Sequence, residues 1–310
     1  MFQIKSKMAW LSLFLMALSA SVSSVANAEG MKPFYLGSTS SGGIAAKVAA
    51  VKTSLATSGL EIVGEYAPYE TSHIIVVTND TLKKAAASHA RAGYLAAQRI
   101  AITKVGDDVQ VSYTNPDYMA AAYRVKTNVS AVTAALKAAL GSKMEYGVDE
   151  AKSADDLNNY HYMFGMEYFD DPYELASHGD YDKAVAAVEK GLAAGAGGVK
   201  KVYRIDVPGT KQTLFGVAMK ASANGNQAMD DNFIMSEIDF KDVRSSAHLP
   251  YEMLVNNGDV EALNARFRIA MNFPDLSMMG ANSFMNIMAA PDAIGAALTK
   301  ASGGKIKDDF

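Results

Sequence analysis

The chain has no cysteine among its 310 residues, and that one absence closes several routes. It allows no disulfide, no thiolate nucleophile, no Cys-x-x-Cys-His attachment of haem and no lipidated cysteine at a cleavage point. Stability must come from packed apolar cores instead. Proline is scarce, at 8 residues, while 49% of the chain is hydrophobic, which is the composition of an ordered globular protein. Catalytic signatures are lacking too: there is no Gly-x-Ser-x-Gly elbow, no His-Glu-x-x-His and no Gly-x-Gly-x-x-Gly following a strand. The five histidines, His73, His89, His161, His178 and His248, are scattered, and nothing in their spacing singles one out.

What is present begins with a leader. "MFQIKSK" is basic, "MAWLSLFLMALSASVSSV" is apolar, and Ala26, Asn27 and Ala28 supply a small-x-small cleavage signal. The expectation is a signal peptide over 1–28, cut after Ala28, with the mature chain in the periplasm or secreted. Removing Lys5 and Lys7 with it leaves 27 basic against 33 acidic residues, a formal charge of -6, which opposes a nucleic-acid partner. No later apolar run is long enough to anchor the mature chain in a bilayer, since "AVTAALKAALG" is short and broken by lysine.

The mature sequence reads as one unit written twice. Ile44, Val48, Val51 and Leu55 form a helical stripe, and Tyr181, Val185, Val188 and Leu192 form another; each ends in small residues and glycine. "LEIVGEYAPYETSHIIVVT" and "VKKVYRIDVPGTKQTLFGVAM" follow, both expected as hairpins turning at Pro68 and Pro208. "QRIAITKVGDDVQVSYTNPDY" and "YEMLVNNGDVEALNARFRIAMNFPDL" read as second hairpins around Gly-Asp turns, each running into Asn-x-Pro-Asp or a near variant that opens a helix. "AVTAALKAALG" at 131–141 aligns without a gap to "AIGAALTKASG" at 293–303. The insertion "ASANGNQAMDDNFIMSEIDFKDV" leaves strand and helix open.

The expected fold class is α+β, with two repeated domains, each a mainly antiparallel sheet with helices packed on one face. The first domain covers 29–146, an acidic linker 147–157, and the second, diverged domain 158–310, with "YHYMFGMEYF" as its first strand. Together they would form a pseudo-dimer within one chain.

The hairpin segments carry a resemblance. "VGDDVQVSYTNPDYMAAAYR" and "LPYEMLVNNGDVEALNARFRIAMNFPDLSMM" are similar to the bacterial domain-of-unknown-function family 302, whose pattern is strand, Gly-Asp-type turn, strand and Tyr-x-x-Pro before a helix. The resemblance implies a compact α+β domain that pairs with another copy of itself, and brings no settled activity. The first copy has "YLAAQR" where the second has its Leu-Pro, so a site built on His248 to Glu252 would not be duplicated.

Three candidate sites follow. Ser40, Ser41, Gly42 and Gly43 join a strand to a helix whose exposed N–H groups could hold an anion, against a reading as ordinary capping. His161, Met163 and Met166, with Met278, Met279, Met285 and Met288, offer soft ligands for copper, against a reading as core filler. His248, Tyr251, Glu252 and Arg268, with Arg266 beside them, could line a catalytic or ligand-binding cleft. On strand alternation, though, Leu263, Ala265, Phe267, Ile269 and Met271 would face the core and both arginines the solvent. The functional expectation is an exported binding or interaction protein for an unidentified small molecule or protein, with no cofactor; the alternative is an enzyme or a redox or copper accessory protein.

Overall fold

The computed structural model describes residues 30–306, so the expected signal peptide over 1–28 and its cleavage site lie outside the described residues. The elements run β1 (Phe34–Ser41), α1 (Ile44–Leu55), β2 (Glu61–Tyr69), β3 (Ser72–Thr78), α2 (Asp80–Ala86), β4 (Gln98–Val105), β5 (Asp108–Thr114), α3 (Pro116–Ala122), α4 (Ser130–Leu140) and β6 (Met144–Tyr146). They continue α5 (Ala154–Asn158), β7 (Tyr173–Ser177), α6 (Tyr181–Ala193), β8 (Val199–Val207), β9 (Gln212–Met219), α7 (Asp231–Ile238), β10 (Tyr251–Asn256), β11 (Asp259–Ala262), α8 (Ala265–Asn272) and α9 (Ala290–Ala301).

Two antiparallel sheets result, ordered β2-β3-β4-β5-β1-β6 and β8-β9-β10-β11-β7. The second repeats the order of the first up to β6, the strand that covers the outer edge of β1. Even an irregularity recurs: Val63 is the bulge before Gly64 pairs with Val76, and Val202 is the bulge before Tyr203 pairs with Gly216. Helices α1 and α4 pack on the first sheet and on each other, as α6 and α9 do on the second. The helical stripes explain this. Val51 and Leu55 are buried while Ile44 and Val48 are half-buried, and Val188 and Leu192 are buried while Tyr181 and Val185 are half-buried.

Each sheet has a second face, and the chain uses it. In the first sheet, Ile75, Ile100, Ile102, Val111 and Tyr113 alternate with Val76, Arg99, Ala101, Ser112 and Gln110 along paired strands. Gln110 donates to Asp242 O at 2.7 Å and Ser112 to Arg244 O at 3.4 Å, so the smaller, more polar face meets the second half. The packing is reciprocal: the turn at Ser246–His248 sits on β3, β4 and β5, and the turn at Ala92–Ala96 on β8, β9 and β10.

Several expectations change. "ALNARFRIAMN" is not a strand continuation: Asn264 caps α8 through its side chain, which accepts from Arg266 N, as Asn115 caps α3 by accepting from Asp117 N and Tyr118 N. The counterpart of "TNPDY" is therefore "LNARF", and "MNFPD" closes a helix where opening one was expected. The alternation misled because α8 is buried almost all round, Arg268 included, which erases any readable period. "YHYMFGMEYF" is turn and irregular chain, and the first strand of the second sheet is "YELAS" at β7. Pro68 lies within β2, and the chain reverses at Glu70 and Thr71. The segment expected as linker holds α5, closed by a capping box between Ser153 and Asp156, and Lys152 bridges back to Met31. Residues 231–238 of the open insertion are helical, with Asp230 as the cap.

Candidate functional site

Side chains from both halves converge on one buried polar cluster between the sheets. Arg99 stands opposite Val76 on β4, and Glu252 stands opposite Gly216 on β10. Because Val76 and Gly216 each follow the matching bulge, Arg99 and Glu252 occupy the same register position in the two sheets. They face each other: Arg99 Nη1 donates to Glu252 Oε1 at 3.0 Å and Oε2 at 3.2 Å, with both side chains at most 2% exposed.

Most of the remaining donors and acceptors are shared among neighbours, though Arg268 Nε has no partner among the described residues. Arg99 Nε donates to Ala247 O at 3.0 Å, and Tyr203 Oη donates to Glu252 Oε1 at 2.9 Å. Arg268 Nη2 lies 3.5 Å from Glu252 Oε2 and donates to His248 O and Pro250 O, each at 2.6 Å. Its guanidinium carbon is 4.4 Å from the centre of the Tyr251 ring. Burial is the largest influence on Arg99 and opposes its charge, but the carboxylate of Glu252 together with the Tyr123 and Tyr203 hydroxyls outweighs it and holds the guanidinium protonated beyond its ordinary range.

His248 closes the group. Its Nε2 is 3.2 Å from both Arg268 Nη1 and Tyr251 Oη. A guanidinium N–H can only donate, so Nε2 accepts and the ring proton sits on Nδ1, which has no partner among the described residues. Burial first, then Arg268 and Arg99, hold the imidazole far below its ordinary range, so it is neutral at physiological pH. Two buried aspartates flank the cluster. Asp231 accepts from Met219 N at 3.1 Å and Tyr66 Oη at 3.2 Å, and burial raises it to about 7. Asp239 accepts from Ser245 N at 2.7 Å and Ser246 Oγ at 2.8 Å, and burial raises it to about 6.

The structure thus brings His248, Tyr251, Glu252 and Arg268 together, in a packed interior. None of the five main concavities is lined by any of the four. A base whose lone pair already accepts from a guanidinium, and which is 0% exposed, is poorly placed for proton transfer. The expectation that both arginines face solvent is corrected. Arg268 is buried; Arg266 is partly exposed and committed to Glu167 at 2.8 Å and Asp292 at 3.4 Å.

The other candidates stand apart. Ser40 and Ser41 end β1, Gly42 and Gly43 are exposed, and Gly43 caps α1 without a side-chain bond. The Gly42 carbonyl accepts from Lys104 Nζ at 3.3 Å. His161 lies on the irregular segment with its ring 4.4 Å from that of Tyr168, the two planes tilted by 37°. Among the described residues, no group of three or more His, Asp or Glu side chains is placed to hold a metal.

Sequence reasoning missed Arg99, Tyr203, Asp231 and Asp239. The only signal was a lone arginine in an otherwise apolar strand, "QRIAIT". The usable concavities lie elsewhere. A groove of about 730 Å³ runs where Arg91 of the first half meets Glu174, His178 and Glu261 of the second, with Arg91 Nε holding both Glu261 oxygens at 3.0 and 3.1 Å. A slot of about 40 Å³ is lined by Tyr146, Ile238, Phe240 and Phe273. A third concavity of about 700 Å³ lies wholly in the second half. Among the described residues, no helix is long and apolar enough to cross a membrane. No family model, curated protein or solved structure matches the chain.

Proposed function

We propose that this is an exported small-ligand-binding protein, built as a covalent pair of family-302-like units, whose inner polar cluster is the seam of the pair and takes no part in chemistry. The observation that carries this reading is the Arg99–Glu252 pair. Two equivalent positions meet across the interface with opposite charges, which two identical copies could not do: each would present the same charge to itself. A fused and diverged pair can make the match.

The supporting arrangement is consistent throughout. The candidate acid, base and cation of an enzyme are hydrogen-bonded to one another and to backbone carbonyls, out of reach of solvent, while the concavities able to admit a ligand carry none of them. Native mass spectrometry of the mature chain, taken from the exported fraction of its own host, tests the reading. A retained small molecule supports it; a turnover abolished by His248→Gln with the fold intact would overturn it.

A further inference from the structure

The concavity confined to the second half gathers lysines over an alanine surface. Its polar lining is Lys200, Lys220 and Lys300 with Ser222 and Asn226, and its apolar floor is Ala218, Ala293, Ala296, Ala297 and Met229. No carboxylate lines it. Elsewhere in this half several cations are matched, Lys201 to Glu189 at 2.6 Å, Arg204 to Asp206 at 2.9 Å and Lys183 to Asp180 at 2.6 Å, whereas this concavity gathers three that are not. Among the described residues Lys200, Lys220 and Lys300 have no ion pair and no side-chain hydrogen bond, although the chain as a whole carries an acidic excess. Asp230 lies close in sequence, but its oxygens accept from Ala221 N, Asn232 N and Phe233 N.

Three elements bring the lysines together. Lys200 is on β8 opposite Ala218; Lys220 follows β9 and is tied back by its N–H to Gly198 O at 2.9 Å; Lys300 is in the last turn of α9. Helical spacing puts Ala293, Ala296, Ala297 and Lys300 on one face of α9. The loop at 195–198 lets these elements close. Gly197 and Gly198 have φ of 68° and 77°, and a Cβ there would fall 2.6 Å from Ala297 O and 2.5 Å from Lys220 O. Any side chain at either glycine would push α9 or the end of β9 away and open the cleft.

We propose that this cleft binds a small phosphate monoester with a short apolar body, the three ammonium groups taking the phosphate and the alanine floor taking the body. This names the site and the ligand class within the binding-protein reading, on which it rests. Three like charges around one concavity repel each other until an anion enters, and a dianionic phosphate suits three ammoniums that have no other partner. The apolar floor explains why inorganic phosphate alone would be held weakly. Neutral and cationic analogues would gain nothing from the rim.

The test is calorimetric titration of the mature chain with hexyl phosphate, beside inorganic phosphate, 1-hexanol and vesicles of phosphatidylglycerol. Saturable one-to-one binding of hexyl phosphate that weakens with salt is expected, with at least tenfold weaker binding of inorganic phosphate and hexanol. The triple variant Lys200→Gln, Lys220→Gln, Lys300→Gln should lose at least tenfold in affinity; all three side chains are exposed, so the fold should survive. Ala296→Leu should also block binding while keeping every charge. No binding of hexyl phosphate, equal binding to the triple variant, or preference for the vesicle surface would each overturn the assignment. If the chain retains some other ligand that the triple variant keeps, the assignment falls while the binding-protein reading stands; if neither hexyl phosphate nor any retained ligand is found, both fall.

Discussion

Replacing Asp231 with asparagine isolates the electrostatic cost of the seam. Asp231 is 2% exposed and its Oδ1 has no partner among the described residues, so the carboxylate loses its hydration and regains little. Burial is the largest cause of its rise from 3.8 to about 7; Asp230 pushes the same way, while Met219 N, Tyr66 and Arg268 push against it. The sign follows from linkage. A carboxyl whose folded value lies above its unfolded value stabilises the fold fully below the unfolded value, and loses that contribution as pH rises through the folded one. A shift of about three units corresponds to roughly 4 kcal/mol lost between pH 4 and pH 8, of which about 3 kcal/mol falls above pH 5. Urea unfolding of the native chain and of Asp231→Asn at pH 5 and pH 8 reads this directly. The variant should gain on the native chain by a few kcal/mol between the two pH values. Parallel pH profiles would refute the claim that the partners of Asp231 compensate its burial only in part.

Other perturbations probe the same seam. Arg99→Met should cost about 3 kcal/mol or more, because it strips a buried carboxylate of its closest cation. The double variant Arg99→Met/Glu252→Gln should cost less than the sum of its single variants by about 1–3 kcal/mol in a denaturation cycle; strict additivity would mean the two groups do not interact. Gly64→Ala should destabilise by about 1–3 kcal/mol, since its Cβ would fall 2.5 Å from Val202 O on the second half, and neither strand can move without disturbing its hairpin. A melting temperature equal to that of the native chain would show that β2 and β8 do not approach so closely.

How much of this was legible depends on how local the determining interactions are. α1, α4 and α6 are half-buried helices, so their stripes survive in the sequence; α9 is mostly buried and was legible through its gapless match to α4, and the β4–β5 hairpin announces itself by alternation around Gly106 and Asp107. α8 was illegible because seven of its residues are buried on all sides, including a cation that only makes sense beside His248, Pro250 and Glu252. β7 was missed because "YELAS" is short and the aromatic run before it looked more like a strand. The candidate cluster was legible in part: His248, Tyr251 and Glu252 are close in sequence, and Arg268 comes back to them through α8. Arg99 was invisible because its partner lies 153 residues away, and no local pattern marks a buried arginine as paired. The lysine cleft was missed for the same reason, since its three cations come from a strand, a strand end and a helix end that only the fold brings together.

The most direct test of the seam as structure, with ligand binding elsewhere, is native mass spectrometry of the protein and of its His248→Gln variant, both isolated from their own host. Glutamine can still place an oxygen where Nε2 accepts from Arg268, so the variant should fold and carry the same bound mass at the same occupancy. Loss of that mass from a folded His248→Gln protein would contradict the assignment and place the ligand at the seam itself.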